Sequence, residues 1–338
     1  MERIYEQLRR YIDGQRQPML ALWEKLVNTE SGSRQIDGVN QVCGILRREM
    51  EAAGIQTRTI PMENAGAMLI GEWNMESGKA PLLLIGHMDT VFKEGAAKEN
   101  PFRIDGNGMA HGPGVLDMKP GLIMALYVVK ALAAVGWKER PIKFIFASDE
   151  ENLHMFSNAK KVFAEEAEGA MAAFNFETGY MDNRFVVGRN GGGPVIINIH
   201  GVAAHSGIAP EKGRSAVLEA AHKIVEIEAQ TDIPRGRLIN CGIVSGGIGE
   251  NTIPDSCTIR IGIRFPNMAV GQEIFDILRR ATGHNTVPDT TAELDLSRVM
   301  QCMDTTDGGM ALVGHLKKTA ADCGFGEIDC FRVGGLAD

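Results

Sequence analysis

The sequence predicts an α/β protein: a domain built on a mostly parallel sheet, carrying a smaller inserted α+β domain. Two contrasts along the chain carry the architecture. Residues 81–85, 142–146 and 170–174 are short apolar runs without polar alternation, as strands covered on both faces are. Between the first two lies 121–135, a long apolar stretch of good helix formers, and 156–167 after the second also reads as helix. Strand, helix, strand, helix, strand is the pattern of an open α/β sheet. After Glu177 the texture changes: 184–187, 194–200 and 258–264 alternate with period two, the mark of antiparallel strands with one wet face.

Leu8, Ile12, Leu20, Leu22 and Leu26 recur at helical spacing among charged residues, which predicts an N-terminal helical segment over 4–27. Helical patterns at 215–229 and 271–281 sit among the alternating strands, and 305–323 reads as a helix returning to the first domain. Gly191-Gly-Gly193 reads as a hinge. The predicted division is 1–186 with 298–338 as the first domain and 187–297 as the insert.

Composition limits the function. With 338 residues, 44% of them apolar, two domains can each bury a core. A net charge of -8 disfavours a nucleic-acid backbone as partner. The most apolar stretch, 121–135, is interrupted by Lys130 and falls short of the ~20 residues a bilayer requires. The N-terminus has no apolar signal core, and six cysteines occur without a CxxC pair. Both point to free thiols in the cytoplasm.

Each apolar run leads into chemically loaded residues. Gly86-His87-Met88-Asp89 comes after the first, Asp149-Glu150-Glu151 after the second, and Glu177 after the third. Ligands of open α/β sheets bind outside the carboxyl ends of the strands, so one rim receives an imidazole and several carboxylates. Asp117 joins them from the Gly-rich loop 112–121. So many acids in one cleft repel unless a cation neutralises them, and a His-plus-carboxylate set suits zinc, with cobalt or manganese as alternatives. Two ions sharing a bridging carboxylate account for the excess of acids. Asp89 is the natural partner for the second ring nitrogen of His87. Adjacent Glu150 and Glu151 point in different directions, so one can ligate while the other serves as general base.

These residues resemble the aminoacylase/carboxypeptidase superfamily of co-catalytic zinc hydrolases, and within it the bacterial glutamate carboxypeptidase branch. The carriers are Gly-His87-Met-Asp89-Thr-Val-Phe, Gly-Pro-Gly-Val-Leu-Asp117-Met-Lys-Pro-Gly, Ser-Asp-Glu150-Glu151 and Phe-Glu177-Thr. Gly-Val-Ala-Ala-His205-Ser-Gly, Asn251-Thr-Ile-Pro-Asp and the terminal Gly-Gly-Leu-Ala-Asp338 extend the match. The resemblance implies His87, Asp117 and Glu177 on one zinc, Asp117 bridging to a second held by Glu151, Glu150 as general base and Asp89 orienting His87. It further implies a homodimer through the insert, with His205 reaching the other subunit's site to stabilise the oxyanion, and Asn251 and Arg264 touching substrate. Two departures stand out. Glu151 is followed by Asn152-Leu-His154 where the family carries Gly-Ser, and the family's last histidine ligand follows a motif at which this chain ends. Either the catalytic domain lacks its C-terminal part here, or the second metal is bound weakly or not at all.

The predicted function is zinc-dependent hydrolysis of the amide to a C-terminal amino acid in a small peptide or N-acyl conjugate. An N-acyl-amino-acid amidohydrolase or dipeptidase on the same scaffold is the nearest alternative, and a binding protein that has lost its second metal is the other. His111 and His154 read as loop or surface residues rather than ligands.

Overall fold

The computed structural model describes residues 2–155, 157–179 and 184–334. In chain order the elements are α1 (Glu2–Gly14), α2 (Arg16–Asn28), α3 (Ile36–Ala52), β1 (Gln56–Ile60), β2 (Met68–Trp73), β3 (Leu82–His87) and α4 (Ala96–Glu99). The hairpin β4 (Arg103–Ile104) and β5 (Ala110–His111) precedes α5 (Lys119–Ala134), β6 (Ile142–Ala147), α6 (Ala159–Ala167) and β7 (Ala172–Asn175). Then come β8 (Arg184–Arg189), β9 (Gly191–His200), β10 (Ala204–His205), α7 (Ala216–Glu228), β11 (Leu238–Gly246), β12 (Thr252–Ile253) and β13 (Ser256–Phe265). The chain closes with α8 (Met268–Thr282), β14 (Thr291–Asp295), α9 (Asp307–Asp322) and β15 (Asp329–Val333). Two compact units emerge, the described parts of Met1–Asn183 with Lys318–Ile328, and of Arg184–Lys317 with Asp329–Ala337.

The first unit is built on a sheet in the order β1-β2-β6-β3-β7. Side chains alternate across it. Leu84, Phe144 and Phe146 pack with Leu26, Leu46, Leu122 and Leu126 from α2, α3 and α5. Leu83, Ile145 and Ala147 face the other way, toward Ala159 and Val162 of α6. Both faces are covered, which is why these strands read as unbroken apolar runs. Each such Leu, Ile or Phe contributes about 1.5–3 kcal/mol by leaving water. The α/β class is as the sequence predicts, but the sheet is mixed rather than mostly parallel. The β6–β3 and β3–β7 pairs are parallel, whereas β1–β2 and β2–β6 are antiparallel. The difference comes from β1 and β2, a hairpin added to the β6 edge.

In the second unit, the sheet β11-β13-β9-β14 is antiparallel throughout. Val195, Ile197, Ile199, Ile259, Ile261 and Ile263 project from one face into a core shared with Ala220, Ile274 and Leu278 of α7 and α8. The intervening residues face away, giving the period-two pattern. Gly191-Gly-Gly193, read as a hinge, instead forms the start of β9, paired with Phe265, Arg264 and Ile263. A Cβ on Gly191 would overlap the Phe265 ring, and one on Gly193 would stand 2.7 Å from the Arg298 carbonyl oxygen. These glycines allow the close packing at this pairing. Among the described residues, no helix is long and apolar enough to cross a membrane.

Candidate metal centre

Strand β3 runs between β6 and β7 and parallel to both, so the carboxyl ends of all three open on one edge. His87 is in register with Ala147, and Ile85 with Asn175. Backbone bonds continue past the strand ends: Met88 N–H donates to Ala147 O at 2.9 Å, and Phe176 N–H to Ile85 O at 3.0 Å. His87, Glu150 and Glu177 are thereby delivered side by side. Asp117 arrives from the loop ahead of α5. There Gly121 is obligatory for close approach, because a Cβ would collide with the Phe176 carbonyl.

The geometry centres on His87, which is buried. Its Nε2 lies 3.2 Å from Asp117 Oδ1, 3.4 Å from Glu177 Oε1 and 3.9 Å from Glu150 Oε2. Its Nδ1 lies 3.0 Å from the Asp89 carbonyl oxygen and 3.3 Å from Asp89 Oδ1. A ring whose Nδ1–H is engaged by Asp89 presents a bare Nε2 to a cation. One donor atom each from His87, Asp117 and Glu177 falls within 4.8 Å of the others. Donors so spaced can share one ion at bonds of about 2.0–2.2 Å. Asp117, whose side chain is 53% exposed, would keep an ion held there open to solvent.

Asp89 ties the site together. Its Oδ2 accepts the Ser33 hydroxyl at 2.6 Å and the Glu151 N–H at 3.2 Å, while Oδ1 accepts the Glu150 N–H at 3.1 Å. Burial alone raises a carboxyl pKa, but His87, Ser33 and the Glu151 amide hold Asp89 below its usual value. For His87 burial works against the charged ring, yet Asp117, Asp89 and Glu177 keep its pKa well above 6.5. Glu151 is pushed up to about 7 by burial, with Asp117, Asp89 and Glu177 adding to the effect and His87 opposing it. Carboxylates crowded this closely have the electrostatics that a divalent cation would relieve.

Two supporting residues were given no role by the sequence: Ser33, which lies in no motif, and Lys119, which lies within the Asp117 motif. Ser33 reaches Asp89 from a distant loop, and Gly32 bridges to Thr90 beside it. Lys119 is fully buried and donates to the carbonyls of Leu26 and Thr29 at 2.8 and 2.9 Å, pinning the Asp117 loop to the end of α2. Burial draws its pKa down to about 7, partly countered by Glu30. His111 pairs with Asp105 at 2.9 Å on the β4–β5 hairpin. His154, read as a surface residue, is instead buried and 2.9 Å from Asp149.

The other candidates lie in the second unit. His205 on β10 is in register with Thr252, and Ser206 N–H donates to Asn251 O at 2.9 Å, which sets His205 and Asn251 side by side. Gly207 N–H donates to His205 Nδ1 at 3.1 Å. Arg264 is exposed on β13 and gives one guanidinium N–H to the Ile263 carbonyl at 2.8 Å. The terminal Gly-Gly-Leu-Ala-Asp338 motif lies, beyond its first glycine, outside the described residues.

Comparison with known proteins fits this geometry. Carboxypeptidase G2 of Pseudomonas sp. (strain RS-16) is 28% identical over 325 residues, covering 93% of this chain and 76% of that protein. The crystal structure of the aminobenzoyl-glutamate utilization protein from Klebsiella pneumoniae aligns at a TM-score of 0.67 with 18% identity, over 98% of this chain and 88% of that one. Bacillus subtilis YXEP, described as a dinuclear metal binding peptidase, aligns at 0.62 with 14% identity, over 96% and 84%. These two share the fold. The sequence model of Peptidase family M20/M25/M40 matches residues 83–327, a span that takes in every acid and imidazole of the site. The chain belongs to that family and is a metal-dependent hydrolase of the peptidase/amidohydrolase class.

Proposed function

We propose that this protein hydrolyses the amide joining a C-terminal amino acid, glutamate foremost, to a small peptide or N-acyl group. The carrying observation is the convergence of His87, Asp117 and Glu177 donors within 4.8 Å, with the Glu150 carboxylate 3.9 Å from His87 Nε2. In this reading His87, Asp117 and Glu177 hold one zinc ion, and Asp117 with Glu151 contributes to a second. Zinc there supplies Lewis-acid polarisation of the scissile carbonyl and makes water more acidic. Glu150 takes the proton from the attacking water and passes it to the departing nitrogen. Asp89 fixes the His87 tautomer. The likeness to carboxypeptidase G2 and to an aminobenzoyl-glutamate utilization protein supports the glutamate preference. That to a dinuclear peptidase supports the ion pair.

The insert, residues 187–297, is assigned the lid and the homodimer contact. Edge strand β11 pairs only with β13 among the described residues and exposes Ile243 and Val244, while α7 exposes Leu218 and Val225. Exposed apolar side chains beside an open strand edge suit pairing with a second copy. His205 accepts from Gly207 at Nδ1, so its neutral ring carries the proton on Nε2, the form needed to donate to an oxyanion. Asn251 and Arg264 are assigned to the substrate, Arg264 to its carboxylate. Scattered thiols fit the cytoplasm.

The test is turnover of a panel of acyl-glutamates, other acyl-amino acids and dipeptides by wild type and Glu150→Gln. Wild type is expected to prefer the acidic leaving group. Glu150→Gln is expected to lose about 100-fold or more in kcat while binding the same amount of zinc. Equal loss of zinc and activity would exchange the roles of Glu150 and Glu151, and preference for a non-acidic leaving group would end the glutamate assignment.

A further inference from the structure

The turn that presents Glu150 and Glu151 is closed by a residue pair the catalytic reading leaves unused. Glu150–Asn152 form a single 3-10 turn, and the chain then reverses through Leu153 and His154, both left-handed at φ 55° and 52°. His154 returns to Asp149 twice: its backbone N–H donates to Asp149 O at 3.2 Å, and its Nδ1 meets Asp149 Oδ1 at 2.9 Å. Both side chains are 1% exposed. The imidazole lies 5.8 Å from the Phe163 ring of α6, which anchors it to the helix behind the sheet. Asp149 Oδ2 is buried with no hydrogen-bond partner among the described residues, so the contact with His154 is the side-chain compensation this carboxyl has there. At the opposite side, the Glu150 and Glu151 amides are held by Asp89. The two glutamates therefore occupy a loop fastened at both sides, by Asp89 in front and by the Asp149–His154 pair behind.

We propose that His154 is a positioning residue for the hydrolytic reaction: paired with Asp149 and seated on Phe163, it fixes the turn that aims Glu150 and Glu151. This rests on the reading of Glu150 as general base. A base displaced by about 1 Å loses roughly 100-fold in rate, and partners that orient site residues are typically worth about 10–100-fold.

The experiment compares wild type, His154→Asn and His154→Leu. Asn keeps a donor near the Nδ1 position and tolerates the left-handed backbone, whereas Leu fills the space and leaves Asp149 unpaired. On an acyl-glutamate substrate, His154→Leu is expected to lower kcat by about 10–100-fold with KM within about threefold, and His154→Asn to restore most of it. In parallel, amide hydrogen exchange is expected to quicken about tenfold or more at Glu150 and Glu151 in His154→Leu, with β3 and β6 unchanged, and to be rescued by Asn. That second readout needs no substrate, so an inactive wild type would sink the proposed function and leave this inference testable. Unchanged exchange at Glu150 and Glu151 in His154→Leu, or failure of Asn to restore what Leu loses, overturns it. A general collapse of protection in His154→Leu is decided by His154→Asn, which must then retain both protection and kcat.

Discussion

Ser33 donates its hydroxyl to Asp89 at 2.6 Å, joining a buried loop residue to the carboxylate that also faces His87 and caps the amides of Glu150 and Glu151. One hydroxyl thus helps set the orientation of an imidazole it does not touch. Ser33→Ala is expected to lower stability by about 1.5–3 kcal/mol, the usual worth of a hydrogen bond to a charged group, as read from urea unfolding. Zinc affinity should fall by about 10–100-fold, since the Asp89–His87 contact loses its anchor. A variant with the wild-type urea midpoint and zinc affinity would show that Asp89 needs no such support.

Lys119 performs the same service for the Asp117 loop. Its ammonium group reaches two carbonyls at the end of α2. Lys119→Met keeps the volume and removes the donor, leaving carbonyls unpaired at about 1–3 kcal/mol each. The expected result is a marked drop in the thermal midpoint together with weaker zinc binding. Loss of stability with intact zinc affinity would confine Lys119 to a packing role.

Leu153 occupies a left-handed conformation where a side chain is costly, at φ 55°. Comparing Leu153→Ala with Leu153→Gly removes the leucine from both and isolates the backbone effect. Glycine is expected to be the more stable of the two by about 1 kcal/mol, the reverse of the usual order. Alanine equal to or above glycine in urea unfolding would mean that the turn relaxes.

Glu219 and Lys223 form a buried ion pair in the second unit at 2.8 Å, with Glu219 also accepting from the Thr286 and Val287 amides. Burial opposes ionisation of Glu219, but Lys223 and those amides prevail and hold its pKa below 4.5. The folded state thus binds its proton less readily than the unfolded chain. The resulting stabilisation is complete above the unfolded value and is lost as pH falls through the folded one. Unfolding free energy should therefore decline more steeply with acid below about pH 4.5 in wild type than in Glu219→Gln. At neutral pH the variant should lose about 3–5 kcal/mol, because Lys223 stays buried without its partner. Parallel pH profiles for the two proteins would contradict this.

Much of the candidate site is legible in the sequence because His87, Glu150 and Glu177 each come after a short apolar run, while Asp117 comes from the Gly-rich loop ahead of α5. The runs before His87 and Glu150 are covered on both faces, whereas the one before Glu177 is a half-exposed edge strand. The runs before His87, Glu150 and Glu177 are β3, β6 and β7, and adjacency of their carboxyl ends is a consequence of parallel pairing. The parts that escape a sequence reading are set by long-range closure rather than local pattern. Ser33 is an ordinary residue until the fold brings Asp89 to it, and Lys119, although part of the Asp117 motif, gains its role only where the α2 carbonyls meet it. His154 reads as exposed because a polar residue after a turn usually faces water, and only the buried Asp149 carboxyl draws it inward. The antiparallel β1–β2 hairpin is hidden for a similar reason: β1, with burial half-exposed along its length, carries no apolar run.

Zinc titration of the metal-free protein, wild type against Asp117→Asn, tests the central claim most directly. Asp117 touches His87 through its side chain alone and is half-exposed, so its replacement should leave the fold intact. The account predicts tight, saturable zinc binding in wild type and a loss of at least about 100-fold in Asp117→Asn, beyond what orienting partners contribute. Equal zinc affinity in the two proteins would contradict it, and the convergence of His87, Asp117 and Glu177 would then have to be explained without a metal ion.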